Sequence, residues 1–143
     1  MTNPGKEVRV AIILNGLSSY SKIFYRKFYE PLSQAFTIAV FKTCEPYHGF
    51  SLAKEAVSKG YDFVFAAGGD GTLHEVVNGV IAAGTGVSEI PKVGLIPIGS
   101  GNDFARTMKL KADSQHIISL IKNSSGRLVN IGKITFTTTD GET

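Results

Sequence analysis

Residues 63–80, FVFAAGGDGTLHEVVNGV, cross three kinds of backbone in quick succession. The apolar run from Phe63 to Ala67 stops at Gly68-Gly69-Asp70-Gly71, and a helical pattern begins at Thr72. A strand that is apolar at every position belongs in a sheet covered on both faces. A helix starting directly after it can supply one of those covers. The junction restricts the chain to a layered α/β design.

The rest of the sequence follows the same alternation. Val8 to Leu14, Thr37 to Phe41, Tyr61 to Ala67 and the run KVGLIPIG read as strands. Phe24, Phe28, Leu32 and Phe36 recur at helical spacing between about Tyr20 and Phe36. Pro31 lacks an N–H and crowds the preceding turn, which predicts a kink or break near Glu30. Leu52, Ala53, Ala56 and Val57 share one face of a helix from His48 to Lys59, closed by Gly60 as a C′ glycine. Helices follow at Thr72 to Ala83, Asp103 to Met108 and Ser114 to Lys122, the last with Ile117, Ile118 and Ile121 on one side. This order predicts an open, mainly parallel sheet with helices on both faces. The tail RLVNIGKITFTTTDGET alternates again at Ile131, Ile134 and Phe136. It ends in a turn at Asp140-Gly141 with no returning strand, so the chain is expected to be the first domain of a longer protein.

Composition serves mainly to exclude. A length of 143 residues suits one domain, and a 43% apolar content suits a globular one. The net charge of +3 without a run of like charges argues against a nucleic-acid arm. Lys22, Arg26 and Lys27 do interleave with Phe24, Tyr25 and Phe28, a pattern open to an anionic membrane or a nucleotide. An ordinary solvated helix with an aromatic inner face is the simpler account. Cys44 stands alone, giving neither a disulfide framework nor zinc spacing, and a reducing, cytoplasmic setting is expected. The first ten residues lack the apolar core of a signal peptide, and no apolar stretch is long enough to span a bilayer.

In an open parallel sheet, ligands bind beyond the carboxyl ends of the strands. Four unusual segments lie at such ends: Asn15-Gly16, Thr43, Gly68 to Thr72, and Gly99 to Asp103. Around Asp70 the glycines allow positive φ and remove Cβ atoms that would block a close approach. The helix that follows aims free N–H groups and its positive end at the same space, which suits a phosphate. Asp70 then has three roles open to it: Mg²⁺ directly or through water, a ribose hydroxyl, or loop N–H groups. Thr72 and Glu75 form a T-x-x-E capping box, so Thr72 can cap, touch phosphate, or do both. Gly99-Ser100-Gly101 repeats the small-residue turn, with Asn102 or Asp103 as N-cap of a short helix. There is no G-x-x-x-x-G-K-[ST], no G-x-G-x-x-G after the first strand and no G-x-S-x-G. His48, His74 and His116 show no metal spacing.

Together, GGDGTLHEVVNG and GLIPIGSGNDFAR closely resemble the diacylglycerol kinase catalytic domain, in its bacterial lipid kinase branch, related to sphingosine kinases. Gly68, Gly69, Asp70, Gly71 and Thr72 match the family's nucleotide motif, and Leu73, His74, Glu75, Asn78 and Gly79 continue it. Gly99, Ser100, Gly101, Asn102 and Asp103 match the second motif, with serine where bacterial members usually have threonine. Thr43 matches a threonine near the nucleotide, and Tyr61-Asp62 also fits. The first strand ends in Asn15-Gly16 instead of Asn-Pro, so only Asn15 is carried over, and Asn130 stands where aspartate is common. The resemblance implies the N-terminal domain of a phosphofructokinase/NAD kinase-like fold, ATP and Mg²⁺ as cofactors, and Asp70 as an indirect metal contact. It also implies a diacylglycerol-like acceptor at the inner membrane surface, and a catalytic base in a second, β-rich domain outside residues 1–143. The fragment alone should then be inactive, and a homodimer through the last strand is open. The alternatives are another kinase on this scaffold, such as an NAD kinase, or a non-catalytic nucleotide-binding module.

Overall fold

The computed structural model describes residues 7–84 and 89–123. Among the described residues four strands, β1 (Arg9–Leu14), β2 (Thr37–Lys42), β3 (Phe63–Gly68) and β4 (Lys92–Pro97), form a sheet in the order β2-β1-β3-β4. Every pairing is parallel, with Val10 opposite both Ile38 and Phe63, and Phe63 opposite Lys92. The strand order reverses direction at β1: the chain first adds β2 on one side, then crosses to β3 on the other. That reversal opens a crevice between the carboxyl ends of β1 and β3.

Side-chain alternation divides the apolar residues between two faces. Val10, Ile12 and Leu14 join Phe63, Phe65, Ile96 and the helical residues Phe24, Phe28, Leu32, Ile117 and Ile121. Ala11 and Ile13 join Val64, Ala66, Leu95 and the helical residues Ala53, Ala56, Val76 and Val80. The first face is covered by α1 (Ser18–Phe24), α2 (Glu30–Ala35) and α6 (Ser114–Lys122). The second is covered by α3 (His48–Ser58), α4 (Asp70–Gly84) and α5 (Asp103–Thr107). β3, buried at every position, sits between both layers as its composition requires.

Pro31 does not break its helix. The chain widens into a π-helical segment, Tyr25–Tyr29, and resumes α-geometry with the proline in the first turn of α2. A proline donates no N–H, and a widened turn ahead of it accommodates both that loss and the ring. Gly60 behaves as expected, with φ +76 at the end of α3. Its N–H donates to the Val57 carbonyl at 3.1 Å, and that of Tyr61 to Ala56 at 3.4 Å, which together close a Schellman motif. α3 and α4 pack so closely that a methyl on Gly79 would lie 2.8 Å from the Ala53 Cβ and strike the Phe50 carbonyl. The expected strand through Ile131, Ile134 and Phe136, the turn at Asp140-Gly141 and the position of Asn130 lie outside the described residues.

Candidate functional site

β3 runs into α4 with less loop than the glycines suggest. The Leu73 N–H donates to the Gly69 carbonyl at 3.1 Å, so Gly69 is the N-cap and Asp70 is already helical. The expected start at Thr72 is therefore two residues late. Thr72 lies within the first turn, so the T-x-x-E box does not cap the helix, and Glu75 lies against α3, where its Cβ would be 3.2 Å from a methyl on Gly49.

Positive φ is not what these glycines supply. Among the described glycines it occurs at Gly60 alone. Close packing explains Gly68 and Gly99. A Cβ on Gly68 would sit 2.5 Å from the Thr72 Oγ1 and 3.2 Å from the Asn15 Cβ. A Cβ on Gly99 would fall well inside 3.0 Å of the Gly69 Cα and N, so the two glycine turns touch backbone to backbone. Gly71 differs: a Cβ there would meet nothing within 4 Å. Neither its conformation nor its neighbours require glycine.

Asp70 is resolved by its partners. Its Oδ2 accepts the N–H of Asp103 at 2.8 Å, and its Oδ1 that of Phe104 at 3.0 Å. Of the three roles open to it in the sequence, the structure shows the capture of loop N–H groups. Asp70 caps α5 from another helix and so clamps the second glycine turn to the first. The N–H groups of Phe104 and then Asp103 hold its carboxyl below the ordinary 3.8, with Arg106 adding a smaller attraction. Asn102 occupies the N-cap position of α5 but forms no side-chain cap bond. Its backbone is left-handed (φ 54), its Nδ2 donates to the Gly99 carbonyl at 2.7 Å, and its Oδ1 is buried without a partner. The Asp103 carboxylate pairs with Arg106, whose other nitrogen donates to the Gly101 carbonyl at 2.6 Å.

The end of β1 joins the same cluster. Asn15 Nδ2 donates to the Thr72 Oγ1 at 3.3 Å, while its Oδ1 accepts the Leu17 N–H at 3.0 Å. The Gly16 N–H donates to the Thr43 Oγ1 at 2.9 Å. Asn15, Thr43, Gly68 to Thr72 and Gly99 to Asp103 are thus brought to one end of the sheet. Leu73, His74 and Glu75 continue along α4 away from its N-terminus. Leu73 packs on the second core face, and His74 is exposed with its Nε2 3.3 Å from the Asn78 Nδ2.

Gly16, singled out at the end of the first strand but not carried over from the family motif, matters because a methyl there would overlap the Thr43 carbonyl. Arg106 had no assigned part in the sequence; it braces the second turn, and its place inside GSGNDFAR was the available signal. Among the described residues no group of three or more His, Cys, Asp or Glu side chains is placed to hold a metal ion.

A family model described as "Diacylglycerol kinase catalytic domain" matches residues 9–134. A diacylglycerol kinase of Staphylococcus haemolyticus is 42% identical over 82 residues, which is 57% of this chain and 24% of that protein. One from Staphylococcus epidermidis is 43% identical over 82 residues, 57% of this chain and 25% of that protein. The crystal structure of a diacylglycerol kinase from Bacillus anthracis superposes with a TM-score of 0.66 at 25% identity, covering 87% of this chain and 41% of that one. The chain therefore aligns with about a quarter of the length of these curated relatives.

Proposed function

We propose that this chain, which belongs to the diacylglycerol kinase catalytic domain family, supplies the nucleotide-phosphate half of an ATP-dependent lipid kinase site. Gly71 carries the proposal. It is a glycine in the first turn of α4 that the fold itself does not need, so what remains is room for a ligand at the helix N-terminus.

Phosphoryl transfer asks a protein chiefly for positioning and charge stabilisation. The first N–H groups of α4 have no acceptor within the helix and suit phosphate oxygens. The Thr43 hydroxyl accepts from Gly16 and so keeps its own proton to donate, and the exposed Ser100 offers another. Asn15 fixes the Thr72 hydroxyl beside Gly68. Mg²⁺ carried by ATP is held largely by phosphates and water, so one carboxylate suits it. Asp70 would reach it through water, and the ion would neutralise phosphate charge.

The titratable groups of the cluster are already engaged: Asp70 with α5 and Asp103 with Arg106. That, together with the greater length of the relatives, supports placing the base that activates the acceptor hydroxyl outside residues 1–143, in the expected β-rich domain. A diacylglycerol-like lipid is the proposed acceptor.

The test is transfer of radiolabel from ATP by the full-length protein to NAD and to a panel of lipid alcohols. Label is expected in a phosphorylated diacylglycerol. Label on NAD, or ATP binding with no labelled lipid, would overturn the proposal in favour of another kinase or a binding module.

A further inference from the structure

The loop between β2 and α3 carries a tyrosine that the core does not use and the backbone does not favour. Tyr47 is 80% exposed, and its φ of 65 puts it in the left-handed region. Asparagine enters that region readily, whereas a bulky aromatic residue does so at a cost. The loop's own bonds hold the conformation. The Cys44 N–H donates to His48 Nδ1 at 3.0 Å, the His48 N–H to the Glu45 carbonyl at 3.3 Å, and the Phe50 N–H to the Tyr47 carbonyl at 3.1 Å. Among the described residues no other ring and no cation packs on the Tyr47 ring. We propose that Tyr47 is the platform on which the base of the nucleotide stacks.

Position and chemistry both favour that role. Tyr47 lies four residues beyond Thr43 and directly before α3. The first turn of α3 packs on α4, where a methyl on Gly49 would lie 3.2 Å from the Glu75 Cβ. The loop thus runs from Thr43, at the phosphate site, to a helix packed on the one whose N-terminus forms that site. Across the 2.9 Å bond from the Gly16 N–H to the Thr43 Oγ1, the other loop carries Leu17, which is 61% exposed. Two exposed apolar side chains on loops tied together beside the glycine turns suit a ligand with a flat apolar face next to its charge. A nucleobase has that face and stacks on an aromatic ring. A tyrosine ring is ordered at little entropic cost, having only two side-chain torsions to fix. The proposal rests on the nucleotide reading and adds to it the residue that holds the base.

The experiment is titration of the full-length protein with ATP and, separately, with inorganic tripolyphosphate, which has the charge but no base. Tyr47→Gly should raise the ATP dissociation constant about tenfold, the loss of one base–aromatic stack, and leave tripolyphosphate binding as in the parent. Melting should be unchanged or raised, because glycine adopts the left-handed backbone without penalty. Tyr47→Asn, which also tolerates that backbone and lacks the ring, should behave in the same way, and Tyr47→Phe should bind ATP like the parent. Parental ATP affinity in Tyr47→Gly and Tyr47→Asn would overturn the proposal while leaving the nucleotide reading in place. Equal losses for ATP and tripolyphosphate would also overturn it, by making Tyr47 a support of the phosphate loops. A parent protein that binds neither ligand would overturn both readings together.

Discussion

Replacing Gly99→Ala should both destabilise the protein and weaken ATP binding. The added carbon would meet the Cα and N of Gly69, which are backbone atoms with no rotamer to yield. Relief requires the two turns to separate, and overpacking of this kind costs about 1–3 kcal/mol. Separation would also break the register in which Ile98 and Gly99 both donate to the Gly68 carbonyl, at 3.1 and 3.0 Å. A melting midpoint lower by several degrees, with ATP affinity reduced in the remaining folded protein, is the expected result. Ser100→Ala is the matched control, since Ser100 is exposed and should leave melting unchanged. Unaltered melting for Gly99→Ala would show that the turns do not depend on their contact.

Asp70→Ala tests the clamp rather than the contact. The two α5 N–H groups lose their acceptor, and the second turn loses its tether to the first. Misplacing a binding group by about 1 Å can cost on the order of a hundredfold in catalytic efficiency, and kcat/KM for ATP in the full-length enzyme should fall on that scale. The fold should survive, because α5 is short and the core faces do not include Asp70. The pH dependence has a definite sign. The folded carboxyl titrates below its ordinary value of 3.8, so its stabilisation is fully present above that value and is lost as pH falls through the folded one. The difference in melting between parent and Asp70→Ala should therefore shrink in acid below about 3.8. A difference that persists there, or an unchanged kcat/KM, would contradict the clamp.

The layered fold was legible because period-two and period-3.6 patterns are strong over full elements. The all-apolar FVFAA run announced a central strand, and Gly60 announced its own C-cap. Element junctions were harder. Thr72 and Glu75 carry the local signature of a cap, yet Gly69 starts the helix because its carbonyl meets the Leu73 N–H first. Pro31 predicted an interruption, but a π-helical turn absorbs it with less disturbance than a break. The gathering of the site's segments at one end of the sheet was legible from residue types at strand ends. The task of Asp70 was not, because its partners lie 33 and 34 residues away and only the fold brings them together. The glycines misled in one respect: positive φ is a local property, whereas the Gly69–Gly99 contact depends on neighbouring strands.

If the N-terminus of α4 receives a nucleotide phosphate, as proposed, ATP titration of the full-length protein carrying Gly71→Ala, with melting recorded in parallel, will show it. A methyl there meets no protein atom within 4 Å, and alanine is the better helix former by up to about 1 kcal/mol. Melting should be unchanged or raised, with the ATP dissociation constant raised about tenfold or more, a cost near 1.4 kcal/mol. Unchanged ATP affinity at unchanged stability would mean that no phosphate approaches Gly71, and would contradict the claim.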